Sequence, residues 1–162
     1  MTTKKHSKVI AFHPYSQGIA YALFESPQKM IDCGNGVLRF YSNEKIISRV
    51  QQYLEFYDPE IVILKTIQPS DFNKRLIRIV NLIRGVANNK GLTIKEYSHD
   101  DIWNVFNQLG CTSKYDLSQK LIETFPVLEK FRFQPRKPWG SQPYGIGVFD
   151  AAALGVTWYH LG

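Results

Sequence analysis

Val9-Ile10-Ala11-Phe12-His13-Pro14 is a short apolar run closed by one polar side chain and a proline. A run of that kind reads as a buried central strand. A central strand that delivers a polar residue at its carboxyl end is a common way to seat a functional group in an α/β sheet. Here the delivered residue is His13. The sequence on either side decides which sheet the strand belongs to. Lys8–Pro14 is the first strand, and Tyr15-Ser16-Gln17-Gly18 reads as a turn, with Gly18 free to take a positive φ. Ile19–Glu25 is a second strand, ended by Ser26-Pro27. Met30–Tyr41 is a third, with Gly34-Asn35-Gly36 marking a bulge or an interruption. Short turns between consecutive strands predict antiparallel pairing for all three.

Beyond them the period changes. Asn43 caps a helix with Glu44 in its first turn, and Ile47, Val50, Leu54 and Tyr57 repeat on one face before Asp58-Pro59 stops it. Ile61-Val62-Ile63-Leu64 is a continuous apolar strand that delivers Lys65. Having passed through a helix, it rejoins the sheet parallel to an earlier strand. Pro69–Phe72 is a loop. Asn73–Lys90 is a long helix with Leu76, Val80, Ile83 and Ala87 inside and Gly91 as its cap. Leu92–Tyr97 alternates as a fifth strand. Ser98 opens a short helix with Asp100 and Asp101 in its first turn and Ile102, Phe106 and Leu109 inside. Thr112 or Ser113 opens another, with Leu117, Leu121 and Phe125 on one face. Pro126–Tyr144 is irregular, and a last helix runs from about Ile146 to His160 with Asp150 early on it.

The order β-β-β-α-β-α-β-α-α-α predicts an α/β domain, with a mixed five-stranded sheet flanked by helices on both faces. Residues 1–7 read as a disordered basic tail and 8–162 as one domain, with no internal repeat or linker. The length suffices for one sizeable core. Hydrophobic residues are 44%, charged residues 21% and aromatics 14%. The formal net charge of +6 and a pI near 9.3 permit a polyanionic partner. Two cysteines, Cys33 and Cys111, with no CxxC and no nearby histidine pair, argue against a zinc site. The polar amino terminus lacks the apolar core of a signal peptide, and no apolar stretch is long enough to span a bilayer. The expectation is a soluble cytoplasmic protein.

The order resembles the ribonuclease H-like fold, and the local sequence resembles the RuvC-type Holliday-junction resolvases over roughly residues 8 to 160. In that family the first strand ends in Asp-Pro-Gly-Ser, where this chain has His13-Pro14-Tyr15-Ser16, with Tyr21 in register on the second strand. The family's fourth strand ends in Glu, here Lys65. Its last helix carries an acid or His, two intervening residues and an Asp, where this chain has Gly147-Val148-Phe149-Asp150 ahead of Ala151-Ala152-Ala153-Leu154-Gly155. Ser113-Lys114 is similar to the family's basic segment before the last helix. The resemblance implies a site built from about four carboxylates, or three and a histidine, around two magnesium ions, which hold the scissile phosphate and activate water. Of those positions only Asp150 keeps its acid. His13, Lys65 and Asp150 therefore mark a degenerate catalytic site, expected to hold no metal and to be inactive, with Lys65 paired to Asp150 directly or through a water and His13 alongside. Magnesium enters only if a rebuilt nuclease site exists.

Two acid-free stretches point to a ligand instead. Phe72 to Lys95 carries Lys74, Arg75 and Arg78 within one turn. Lys130 to Phe149 carries Arg132, Arg136 and Lys137 among Phe131, Phe133, Trp139 and Tyr144. Basic residues interleaved with aromatics suit phosphate contact and base stacking, although a solvated basic face over packed aromatics has the same pattern. With Lys114, these residues are the candidate nucleic-acid contacts. Three functions follow: a RuvC-like protein that binds nucleic acid, branched or otherwise structured DNA included, without cleaving it; a protein-interaction or assembly module, dimerising through a long helix as the relatives do; and a metal-dependent endonuclease with a rebuilt site.

Overall fold

The computed structural model describes residues 7–15, 18–38, 42–68, 74–135 and 145–162. Its sheet has the order β3-β2-β1-β4-β5, built from β1 (Val9–Tyr15), β2 (Gly18–Ser26), β3 (Lys29–Val37), β4 (Ile61–Lys65) and β5 (Thr93–Tyr97). β1 pairs antiparallel with β2, and β2 with β3, while β4 runs parallel to both β1 and β5. This is the predicted mixed sheet, with the first strand at its centre.

Helices cover both faces. α1 (Asn43–Tyr57) and α2 (Lys74–Asn89) pack on one side over Ile10, Phe12, Leu23, Val62 and Leu64. α3 (His99–Gln108), α4 (Lys114–Thr124) and α5 (Ile146–Leu161) close the other, where Ala11, Ala20, Ala22, Phe24 and Ile63 face Phe149, Ala152 and Leu154. Alternate residues of β1 thus enter opposite cores, as the two-residue period of a strand requires. Nearly every residue of α5 from Gly147 to Gly155 is buried, Asp150 being the half-buried exception.

Several local expectations are corrected. β2 begins at Gly18, which is a strand residue paired with Tyr15 and not a positive-φ turn glycine. The register runs unbroken through Gly34, Asn35 and Gly36, and the irregularity lies lower, where Leu23 and Phe24 meet Asp32 and Met30. The two glycines answer a need for space. A Cβ on Gly34 would lie 3.1 Å from the Tyr21 hydroxyl, and one on Gly36 would lie 2.3 Å from the Tyr53 hydroxyl. Ser42, not Asn43, caps α1 by accepting from the Lys45 amide. Ile46 joins Val50 and Leu54 as a buried residue of that face, and Ile47 beside it is only partly buried. Leu109 is 37% exposed, Val105 taking the inner position on α3. Pro126–Phe131 forms a short 3₁₀ helix where an irregular segment was expected. Among the described residues no helix is long and apolar enough to cross a membrane. Arg136, Lys137, Trp139 and Tyr144 lie outside the described residues, as do Ser16 and Phe72.

Candidate functional site

His13 and Lys65 leave adjacent strands two residues beyond the last β1–β4 partners, Ala11 and Ile63. The side-chain period therefore turns both toward the α5 face, in the crevice outside the carboxyl ends of parallel strands where α/β sheets seat their ligands. α5 reaches the same place with its first turn. Gly145, at φ 87°, turns the chain into the helix. Gly147 then sits so close that a Cβ on it would lie 3.3 Å from Ala20 Cβ and 3.5 Å from His13 Cδ2. The imidazole and the bare helix backbone share the space a side chain at Gly147 would need. One turn on, Asp150 Oδ2 lies 3.4 Å from His13 Nε2.

The cation that meets Asp150 directly is Lys114, whose ammonium donates to Oδ1. Its position is set by the start of α4. Ser113 Oγ accepts from the Asp116 amide, while Asp116 Oδ2 accepts from both the amide and the hydroxyl of Thr112. Those hydrogen bonds hold the Asp116 carboxyl below its ordinary range. The reciprocal cap fixes the first turn of α4 beside α5, which puts Lys114 against a carboxylate 36 residues away. Of the direct or water-bridged pair expected between Lys65 and Asp150, the direct form is absent among the described residues, the place beside Oδ1 being taken by Lys114. Among the described residues no hydrogen bond or ion pair engages the Lys65 ammonium, which feels Asp150 only across a longer gap. Lys114 has the shorter route because it approaches along the helix surface, whereas Lys65 rises from the sheet floor.

Burial is the main cause that lowers the Lys65 pKa, with Asp150 opposing and Lys114 adding to the fall. His13 is also lowered, first by burial, against the pull of Asp150 and with the push of Lys114 and Lys65. The folded imidazole is therefore neutral at pH 7. A histidine depressed on folding takes its proton first in the unfolded chain, so stability falls as pH drops below the ordinary value of 6.5 and stops falling below the folded pKa. Urea unfolding between about pH 8 and about pH 5 is expected to show this loss in the wild-type chain and less of it in His13→Gln. An equal pH dependence in the two proteins would place His13 outside this account.

Does this donor set fit divalent metal? Magnesium takes hard oxygen ligands. Here one carboxylate faces two ammonium groups and a neutral imidazole, and among the described residues no group of three or more histidine, cysteine or acidic side chains comes together. Asp100 and Asp101 belong to the cap of α3, Asp101 closing a capping box with Ser98. The residues present do not fit a two-metal centre.

Of the other candidate contacts, Lys74, Arg75 and Arg78 are exposed at the start of α2, which follows the carboxyl end of β4 and has no acid in its first turn. Cations there oppose the helix dipole, a cost of a few tenths of a kcal/mol each at an exposed surface. Arg132 is engaged by both carboxylate oxygens of Glu129 and by Gln119 Oε1. Sequence reasoning counted Lys114 among surface contacts and missed that it closes on Asp150. The available signal was a lysine in the unfavourable first turn of a well-capped helix.

No protein-family model matches this sequence, and no curated protein matches it. Solved structures do. RuvC of Thermus thermophilus in complex with Holliday junction substrate superposes over 97% of this chain and 97% of its own, with a TM-score of 0.67 at 13% identity. The yeast mitochondrial Holliday junction resolvase matches 94% of this chain and 78% of its own, with a TM-score of 0.66 at 10% identity. The fowlpox virus resolvase with Holliday junction DNA matches 96% and 99%, with a TM-score of 0.55 at 17% identity. The fold is that of RuvC and other Holliday-junction resolvases.

Proposed function

We propose that this chain is a RuvC-like protein that binds nucleic acid, branched DNA above all, and does not cut it by metal-dependent hydrolysis. The observation that carries this reading is the charge at the end of β1 and β4, where Lys65, Lys114 and His13 surround Asp150, the one carboxylate brought there among the described residues. A polyanion gains from such a place and a divalent cation loses. Support for the partner comes from the fold, since two of the similar structures hold Holliday junction DNA. Lys74, Arg75 and Arg78 add to it, three cations in one helical turn with no first-turn acid beside them.

Phosphate contacts release counterions, so affinity for a four-way junction is expected to fall steeply with salt. Lys74→Glu/Arg75→Glu/Arg78→Glu is expected to weaken binding and to reduce the slope of log affinity against log salt by about 2–3. Fluorescence anisotropy with a labelled junction and a duplex of the same length measures both. An unchanged slope removes this turn of α2 from the interface. No binding at low salt moves the assignment to a protein-assembly module. Magnesium- or manganese-dependent cleavage that Asp150→Asn abolishes would overturn the non-catalytic part.

A further inference from the structure

We infer that Lys65 and Lys114 together hold a single phosphate of the nucleic acid without any metal, with Lys65 as the principal anchor. The inference rests on the nucleic-acid reading above and names what that reading leaves open, the chemistry by which the old catalytic crevice engages its ligand.

Both oxygens of Asp150 are already covered, Oδ1 by Lys114 and Oδ2 by the imidazole edge of His13. The carboxylate is only 21% exposed, whereas the Lys114 side chain is 42% exposed and keeps donors for a second acceptor. Two ammonium groups facing one carboxylate leave one positive charge unbalanced. That charge belongs to Lys65, a partly buried cation with no hydrogen bond or ion pair among the described residues. A half-desolvated, unpaired ammonium is a standing cost in the free protein. An acceptor-only anion of one charge removes that cost, and a phosphodiester oxygen is such an acceptor. Lysine binds phosphate as a point charge, which suits a site where two stems converge from a strand end and a helix start. The neutral His13 leaves room for this anion without competing for it, and Gly147 keeps the adjoining helix backbone bare.

The assignment separates stability from binding. Because Lys65 makes no hydrogen bond or ion pair among the described residues, Lys65→Met is expected to melt at the wild-type temperature or above it. It is also expected to bind the junction on the order of tenfold more weakly, with the salt slope reduced by about one. Since the two lysines share one phosphate, Lys65→Met/Lys114→Met is expected to reduce the slope by about one, not two, and to be less than additive in affinity. Lys65→Arg keeps the charge and is expected to retain most of the binding. All measurements are made on the full chain in a chelator, with melting followed by circular dichroism.

A Lys65→Met chain that binds as tightly as wild type, with the same salt slope, overturns the anchor while leaving the nucleic-acid reading in place. A Lys65→Met chain that is strongly destabilised overturns it also, because Lys65 would then be a structural partner. If the wild-type chain binds no nucleic acid, the broader reading fails by itself. Inorganic phosphate titrated against the lysine side-chain resonances then decides the site. Shifts at Lys65 and Lys114 uphold the anion site, and their absence overturns it.

Discussion

Gly155→Ala is expected to destabilise the fold by about 3 kcal/mol, at the upper end of the range for overpacking a core. Propensity alone predicts the opposite sign, since alanine exceeds glycine inside a helix by about 1 kcal/mol. The clash wins because of where the methyl group would go. A Cβ on Gly155 would overlap Phe24 Cε2 and lie 2.5 Å from Phe24 Cζ, a clash that no rotation of a few degrees relieves. Phe24 is fully buried and meets Phe125 edge-on at 5.4 Å and Tyr159 edge-on at 5.9 Å, so its ring has nowhere to retreat. The missing side chain is what lets α5 lie flat on β2 and carry Asp150 to the strand ends. The melting temperature is expected to fall by about 6–12 °C. Gly85→Ala on the exposed side of α2, where nothing lies within 4 Å, is the control and is expected to gain about 0.5–1 kcal/mol. Phe24→Leu combined with Gly155→Ala is expected to cost less than the sum of the two. Equal melting of Gly155→Ala and wild type would show that α5 rides higher on the sheet than described.

Magnesium is expected to leave the melting temperature of the wild-type chain unchanged and to raise that of His13→Asp/Lys65→Glu. Among the described residues of the wild type a divalent cation would meet two ammonium groups and one carboxylate already bound to one of them. The double variant places three carboxylates at the ends of β1, β4 and the first turns of α5. Close carboxylates repel one another, so without metal this variant is expected to melt below the wild type. Magnesium at a hundredfold excess over its dissociation constant then returns about 2.7 kcal/mol, or about 5–10 °C for a chain of this size. Lys114 still competes for Asp150, and adding Lys114→Gln is expected to tighten the metal further. Scanning calorimetry against magnesium, with chelator as the control, makes the measurement. A chelator-reversible rise in the wild-type chain would show that its donor set holds metal after all.

Much of this molecule is written in local sequence. Periodicity changes from two to between three and four at the end of the third strand, and the short turns before it and the helices after it lead to the observed sheet. Val9–Phe12 and Val62–Leu64 are apolar on every residue because both faces of those strands are covered, and that property needs no coordinates to read. The strand endings at His13 and Lys65 are legible for the same reason, since a polar residue closing such a run must leave the core at the crevice. What a one-dimensional reading lacks is distance between segments far apart in the chain. Glycines at 34 and 36 look like a break until Tyr21 and Tyr53 are seen to fill the space above them. Lys114 looks like one surface cation among many until the α4 cap aims it at Asp150, 36 residues on. Local sequence carried most of the helices and strands, the mixed pairing of the sheet and the poverty of carboxylates at the strand ends, but not the full strand order or the 3₁₀ helix at Pro126–Phe131. Packing between distant segments chose the cation that bonds Asp150, Lys114, and set Lys65 half-buried with no hydrogen bond or ion pair among the described residues. Pairing of charges depends on side-chain reach across packed elements, and no periodicity along the chain encodes that.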